Sequence, residues 1–390
     1  AFKPDWVVIH LGLNDTDPRN WPNYNQHFNR DYQLLINAFR KENPKAKIWI
    51  CLMTPIFHTH PRFESGTRDW HAAIQQHIRN IAKANHVELI DLHTPLYSRP
   101  NLFADALHPN AEGAEIMAQT IRSALTGDYG GLKMSPLYAD EMVMQCQQPI
   151  VFRGTANAKE RVEVNFNGQR LSAVTHANGQ WNVSFPAMDA GGPYEARITT
   201  KRGMLTIHHI YIGEVWLCSG QSNMEYPVKA TTTAAEDEQL AAHQPLLHLY
   251  NMPTRFLTNA EKWPKAVLDS VNKLALLGGQ TWQRASKETV SRFSSVAYHF
   301  GKALADSLKV PVGIICNAVG GTTTESWIDR HTLEWQFPSI LHDWYHGDFG
   351  QPWARKRALE NIANAENIAL QRHPYTPCYM FEAGILPLKD

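Results

Sequence analysis

Ser222 follows the apolar run Glu214-Val215-Trp216-Leu217-Cys218 by way of Ser219-Gly220-Gln221. A strand that ends at a glycine and turns into a helix is how a nucleophilic hydroxyl is presented. That hydroxyl needs a base for its proton and N–H donors for the oxyanion its attack creates. Gly220 permits the tight turn, and a helix after it aims N–H groups at developing negative charge. The same residues, Ser222-Asn223-Met224-Glu225, also read as a helix capping box. Gly320-Gly321-Thr322 follows a second apolar run at 311–316. Glycines there let the backbone approach closely and donate an N–H to an oxyanion, although Thr322 and Glu325 could equally cap a helix. In Asp105-Ala106-Leu107-His108 the carboxylate and the imidazole lie within one helical turn. Such an Asp fixes the histidine tautomer and stabilises the imidazolium while the His takes a serine proton. Asn14, in Gly12-Leu13-Asn14-Asp15, directly follows apolar residues 6–11; an Asx turn or helix cap accounts for it as well. His58 and His60 would share one face of an extended segment, but no carboxylate or cysteine accompanies them and no metal is expected.

Three kinds of segment must hold these groups. Residues 1–126 alternate strand and helix: strands at 6–11, 47–52 and 87–92, with helices around 32–40, over 68–84 and from about 109. Trp70, Ile74, Ile78 and Ile81 recur at helical spacing, as do Met117, Ile121 and Leu125. This alternation predicts a parallel sheet covered by helices. Residues 127–131 are a glycine-rich linker. Residues 132–209 read as short strands punctuated by Asn167-Gly168 and Asn178-Gly179, hence a small antiparallel sandwich in which His208-His209 is structural. Residues 210–390 resume the α/β pattern, with a strand at 212–217, a helix over 290–308 and a strand at 311–316.

The 37 basic and 37 acidic residues cancel, so nothing steers the chain to nucleic acid or an anionic membrane. No apolar run approaches the ~18–20 residues of a membrane span. The five cysteines lie far apart without metal or redox spacing and read as buried free thiols. Twelve tryptophans suit stacking on sugar rings, although most belong in cores. A strand begins four residues in, and Gly384-Ile385-Leu386-Pro387-Leu388 runs out without a cap, so a piece of a longer chain is expected.

The words Gly220-Gln221-Ser222-Asn223-Met224 resemble the nucleophile block of the sialate O-acetylesterase family, within the SGNH (GDSL-like) hydrolases. Gly320-Gly321-Thr322 before Trp327 is similar to a second word of that family, and Leu137–Gln145 to the opening strand of the sandwich that precedes it. Gly12-Leu13-Asn14-Asp15 and Asp105-Ala106-Leu107-His108 resemble the third and last SGNH blocks, in the right order. The resemblance implies flavodoxin-like, three-layer α/β segments flanking an all-β sandwich: the C-terminal half of one SGNH domain (1–126), the sandwich, and the N-terminal part of another (210–390). It implies Ser222 as nucleophile, Asp105 and His108 as a catalytic pair, and an oxyanion hole from Asn14, Gly320 and Gly321. The implied activity is hydrolysis of O-acetyl esters on a sugar or polysaccharide, without a cofactor, by a periplasmic or secreted enzyme. Acetylxylan or general acyl-ester hydrolysis, and a purely carbohydrate-binding or structural module, stay open beside it. Residues 1–126 lack a Gly-Asp-Ser block and residues 210–390 lack the family's Trp-x-Gln-Gly-Glu word after Gly321, so a full triad is not expected within either segment. Two tandem, truncated domains are expected rather than one shared site.

Overall fold

The computed structural model describes residues 3–259, 261–279 and 281–389. The chain divides into two compact units, Ala1–Thr126 and Gly127–Asp390. In the first, β1 (Trp6–Ile9), β2 (Lys47–Cys51) and β3 (Glu88–Ile90) form a parallel sheet in that order. Alternation along β2 sends its side chains to opposite faces. Ile48 and Ile50 join Ile36, Ile74 and Ile78 from the helices Trp21–Glu42 and Arg68–Asn85. Trp49 and Cys51 face Met117, Ile121 and Leu125 of the helix Ala111–Thr126. Helices on both faces give three layers, and the unit is α/β. The helix expected around 32–40 runs over Trp21–Glu42 instead. Pro22 in its first turn suits a helix start, and the sparse apolar residues of its opening turns give periodicity little to detect.

The second unit contains β4 (Val143–Gln145), β5 (Pro149–Thr155), β6 (Arg161–Phe166), β7 (Gln169–Val174), β8 (Gln180–Ala187), β9 (Gly191–Thr199), β10 (Met204–Cys218), β11 (Leu247–Asn251), β12 (Trp282–Arg284) and β13 (Val312–Cys316). β5 pairs with β8, and the path β12-β11-β13-β10-β9-β6-β7 forms one larger sheet, with β4 also on β10. Asn167 (φ 47°) and Gly168 (φ 72°) make the tight β6–β7 turn that their types dictate. β10 is the hinge of the architecture. Its first half pairs antiparallel with β9, and its second half pairs parallel with β13. The expected boundary at 209/210 thus falls inside one strand, at a register shift where His209 takes φ 54°. The glycine-rich 127–131 stretch is held by Asn157, whose Oδ1 accepts from the Tyr129 and Gly131 N–H groups.

β13 is buried at every position, as a central parallel strand requires. Ile314 and Cys316 pack with Leu247, Leu249 and the helix Ser295–Leu308, while Ile315 packs with Tyr250 on the opposite face. The helix expected over 290–308 is broken: Lys287–Ser291 and Ser295–Leu308 are separate. Phe293 is fully buried between them, its carbonyl accepts the Val228 N–H, and Ser294 caps the second helix through the Ala297 N–H. The five cysteines are free thiols, four of them buried. No helix among the described residues is long and apolar enough to cross a membrane.

Candidate active site

Ser222 stands at the C-terminal end of β10, four residues past Cys218, as the exposed first residue of the short helix Ser222–Glu225. Gly220 adopts φ 152°, a conformation open to glycine, and so lets the strand turn. The capping box does not form. Gln221 is the N-cap residue and makes no side-chain cap bond. Glu225 reaches across to the next loop, where its Oε2 accepts the Gly320 N–H at 2.6 Å. Although Glu225 as a residue is exposed, its carboxylate is desolvated; this pushes its pKa up, and the Gly320 hydrogen bond only partly offsets it.

The Gly320–Gly321 loop leaves the C-terminal end of β13, the strand beside β10. A Cβ placed on Gly320 would lie 3.6 Å from Ser222 Oγ and 2.7 Å from Glu225 Oε2, so this backbone sits against the serine hydroxyl. Gly321 has φ 78°, and a Cβ there would collide with the Tyr375 hydroxyl. The Gly320 carbonyl accepts from Tyr375 Oη (3.2 Å) and Thr258 Oγ1 (3.4 Å). The expected helix cap by Thr322 is absent: its hydroxyl donates to the Val319 carbonyl and accepts from Trp327 Nε1. Asn317, fully buried, accepts from Ser219 Oγ at 2.5 Å and donates to the Gly384 carbonyl at 2.7 Å, tying both loops to a third segment. A cleft of about 550 Å³ opens at the C-terminal end of β11, lined by Asn251, Gln283, Lys287 and Arg292 among others.

The first unit builds a different set of groups at the C-terminal edge of its own sheet. Asn14 lies in the turn Leu13–Thr16 after β1. Gly12 (φ 117°) starts that turn and sits so close to Met53 Sδ and Ile74 Cγ2 that a Cβ would fall within 3.0 Å of both. Asn14 is exposed, and the turn has no side-chain cap. Asp105 and His108 meet directly: Nδ1 of His108 is 2.6 Å from Asp105 Oδ2. Asp105 Oδ1 also accepts the Leu107 and His108 N–H groups at 3.0 and 2.7 Å. Burial pushes the Asp105 carboxyl up, but the His108 ring, these two N–H groups and the His108 charge outweigh it and hold the pKa at about 2. The Asp105 loop is pinned to the segment after β2, where the Phe57 N–H donates to the Ala106 carbonyl at 3.1 Å. Arg62 in turn pairs with Asp17, just after the Asn14 turn. Asn14, Asp105 and His108 thus lie on interlocked loops of one unit. Ser222, Gly320 and Gly321 lie on interlocked loops of the other.

Among the described residues no group of three or more His, Cys, Asp or Glu could hold a metal ion, and His58-x-His60 forms no such group. His208 pairs with Glu195 and His209 with Glu141. The sequence reading missed three residues around Ser222. The spacing of Glu225 from Ser222 points to a helix cap, and the bond to Gly320 takes its place. Asn317 lay in a motif read only for its glycines. Tyr375 carried no signal, because its contact with Gly320 spans 55 residues.

A serine at a strand-to-helix turn, faced by a glycine loop from the neighbouring parallel strand, can present a nucleophilic hydroxyl beside backbone N–H donors. Comparison with known proteins finds a match in each of two parts of the chain. Residues 1–116 match the GDSL-like lipase/acylhydrolase family, and residues 212–342 match the carbohydrate esterase, sialic acid-specific acetylesterase family. The chain is 27% identical over 175 residues to sialate O-acetylesterase of Mus musculus, covering 43% of this chain and 30% of that protein. It is 36% identical over 146 residues to acetylxylan esterase of Xylanibacter ruminicola, covering 32% of this chain and 29% of that one. A solved carbohydrate acetylesterase from Xanthomonas citri is 31% identical, with a TM-score of 0.44, over 53% of this chain and 44% of its own. The chain spans about three tenths of the length of the curated relatives it matches.

Proposed function

We propose that the chain supplies the nucleophile of a carbohydrate O-acetylesterase. The observation that carries this reading is the exposed Ser222 at the end of β10 with the Gly320 backbone against its hydroxyl. Ser222 Oγ attacks the acetyl carbonyl carbon while its proton passes to a histidine. The Ser222 N–H and the Gly320–Gly321 loop receive the oxyanion. Collapse breaks the bond to the sugar oxygen, which takes the proton back, and water then releases acetate from the acetyl-serine. Asp105 and His108 have the geometry for the base, since Asp105 holds Nδ1 and leaves Nε2 for a serine proton. Asn14, on the same loop cluster, would donate its amide to an oxyanion. We assign these three to a second half-site belonging to the first unit's own esterase family. No cofactor enters the scheme.

The substrate class is an acetylated sugar, with an O-acetyl sialic acid or a plant polysaccharide as the two candidates. The relatives' names, sialate O-acetylesterase and acetylxylan esterase, support both. A periplasmic or secreted setting fits substrates of this kind.

The test is hydrolysis of p-nitrophenyl acetate by wild type, Ser222→Ala and His108→Ala. Loss of activity by about 10³-fold or more in Ser222→Ala is expected. If His108→Ala falls as far, the two half-sites serve one reaction; if it keeps activity, Ser222 draws its base from elsewhere. Hydrolysis untouched by Ser222→Ala refutes the assignment. Acetate release from O-acetyl sialic acid against acetylated xylan then separates the substrates.

A further inference from the structure

We infer that Glu225 is a positioning residue: by holding the Gly320 N–H it fixes the Gly320–Gly321 loop against the Ser222 hydroxyl, leaving the Gly321 N–H as the loop's oxyanion donor. This rests on the reading of Ser222 as nucleophile. Each peptide unit is planar, so anchoring one of its polar groups orients the other. The Val319–Gly320 peptide is gripped at both ends: the Val319 carbonyl accepts from Thr322 Oγ1 at 2.8 Å, and the Gly320 N–H donates to Glu225 at 2.6 Å. The following peptide is gripped at the Gly320 carbonyl by Tyr375 and Thr258. Its trans geometry points the Gly321 N–H away from those two hydroxyls. A donor already bonded to a carboxylate is not available to a carbonyl oxygen, so the Gly320 N–H serves the loop and not the substrate.

The carboxylate suits this task better than a neutral acceptor at longer range, since charge-assisted bonds are shorter and stronger. Glu225 lies three residues after Ser222 in one short helix, so nucleophile and loop become one rigid body. A Cβ at 320 would fall 2.7 Å from the clamping oxygen, so a side chain there would push the Glu225 carboxylate off the Gly320 N–H. Preorganised donors need no rearrangement as charge develops, and this is where such a clamp acts.

The test compares Glu225→Ala and Glu225→Gln in the whole chain with two readouts. The first is amide hydrogen exchange at Gly320, which needs no catalysis. Glu225→Ala is expected to speed exchange there by about tenfold or more, and Glu225→Gln, which keeps an oxygen acceptor, to stay near wild type. The second is p-nitrophenyl acetate hydrolysis normalised to titrated Ser222. Glu225→Ala is expected to lower kcat by about 10- to 100-fold with KM within about twofold, and Glu225→Gln to recover most of it. Unchanged exchange and kcat in folded Glu225→Ala overturns the inference. So does a folded Glu225→Gln as impaired as Glu225→Ala. If hydrolysis does not depend on Ser222, the nucleophile reading fails on its own, and the exchange measurement still decides whether the clamp exists.

Discussion

Asn317 shows how much one side chain contributes at the residue scale. Its amide bridges Ser219, three residues before Ser222, to the Gly384 carbonyl, with no exposure to solvent. Asn317→Leu leaves the half-buried Ser219 hydroxyl and the buried Gly384 carbonyl without this partner, the buried carbonyl alone costing about 1–3 kcal/mol. The expected result is a fall in the urea midpoint together with a fall in kcat, since the same bond sets the approach to Ser222. His373 makes a second prediction. It is fully buried, stacked on Trp263, with Nδ1 accepting the Tyr375 N–H and Nε2 facing Asn361 Oδ1. Burial lowers its pKa to about 3. The unfolded chain therefore binds a proton between about pH 6.5 and 3 that the folded chain refuses. Stability from this residue is intact above pH 6.5 and declines as pH falls toward 3, by up to about 1.4 kcal/mol per unit. Urea unfolding at pH 7 and pH 5 should show this decline, and His373→Gln should make the dependence shallower.

At the scale of elements, the helix Ser295–Leu308 lies so close to the sheet that Gly301 has no room for a side chain. A Cβ there would sit 2.6 Å from Ile314 Cγ1 and 2.9 Å from Leu247 Cδ1, both fully buried strand residues. Alanine would gain about 1 kcal/mol of helix propensity, against about 1–3 kcal/mol for overpacking. The contacts are with the body of a β-branched side chain, which cannot swing away, so Gly301→Ala is expected to destabilise by about 1 kcal/mol in denaturant titration. A stabilised variant would mean that the helix can lift. This glycine is invisible to periodicity, which predicts one helix over 290–308. The break at 292–294 is likewise tertiary: the buried Phe293 carbonyl serves Val228, so local helix propensity loses to a long-range bond.

For the molecule as a whole, each unit has its own buried clusters. Ile36, Ile50, Ile74 and Ile78 centre one of those in Ala1–Thr126, and Phe152, Phe166, Ile212 and Tyr250 belong to one running through Gly127–Asp390. Independent cores predict separable unfolding. Ile78→Ala, at a position with no solvent exposure, should cost about 2–5 kcal/mol in the first unit. Denaturation followed by hydrogen exchange should show protection falling in Ala1–Thr126 and unchanged in Gly127–Asp390. A uniform loss across both would show that the units unfold together.

The α/β character, the Ser222 turn, the glycine loop after β13 and the Asp105–His108 contact were all legible in the sequence. They are local, being set by apolar periodicity, by glycines where φ turns positive, and by side chains three residues apart. What the sequence alone could not decide was how such words are joined. That β10 runs through 209/210 as one strand follows from its two different neighbours, β9 and β13, which lie on either side of it in the sheet. That Glu225 clamps Gly320 rather than capping its own helix follows from a loop 95 residues away. A hydrogen-bonding group takes the partner that folding brings to it, and that partner's distance along the chain leaves no trace in local pattern.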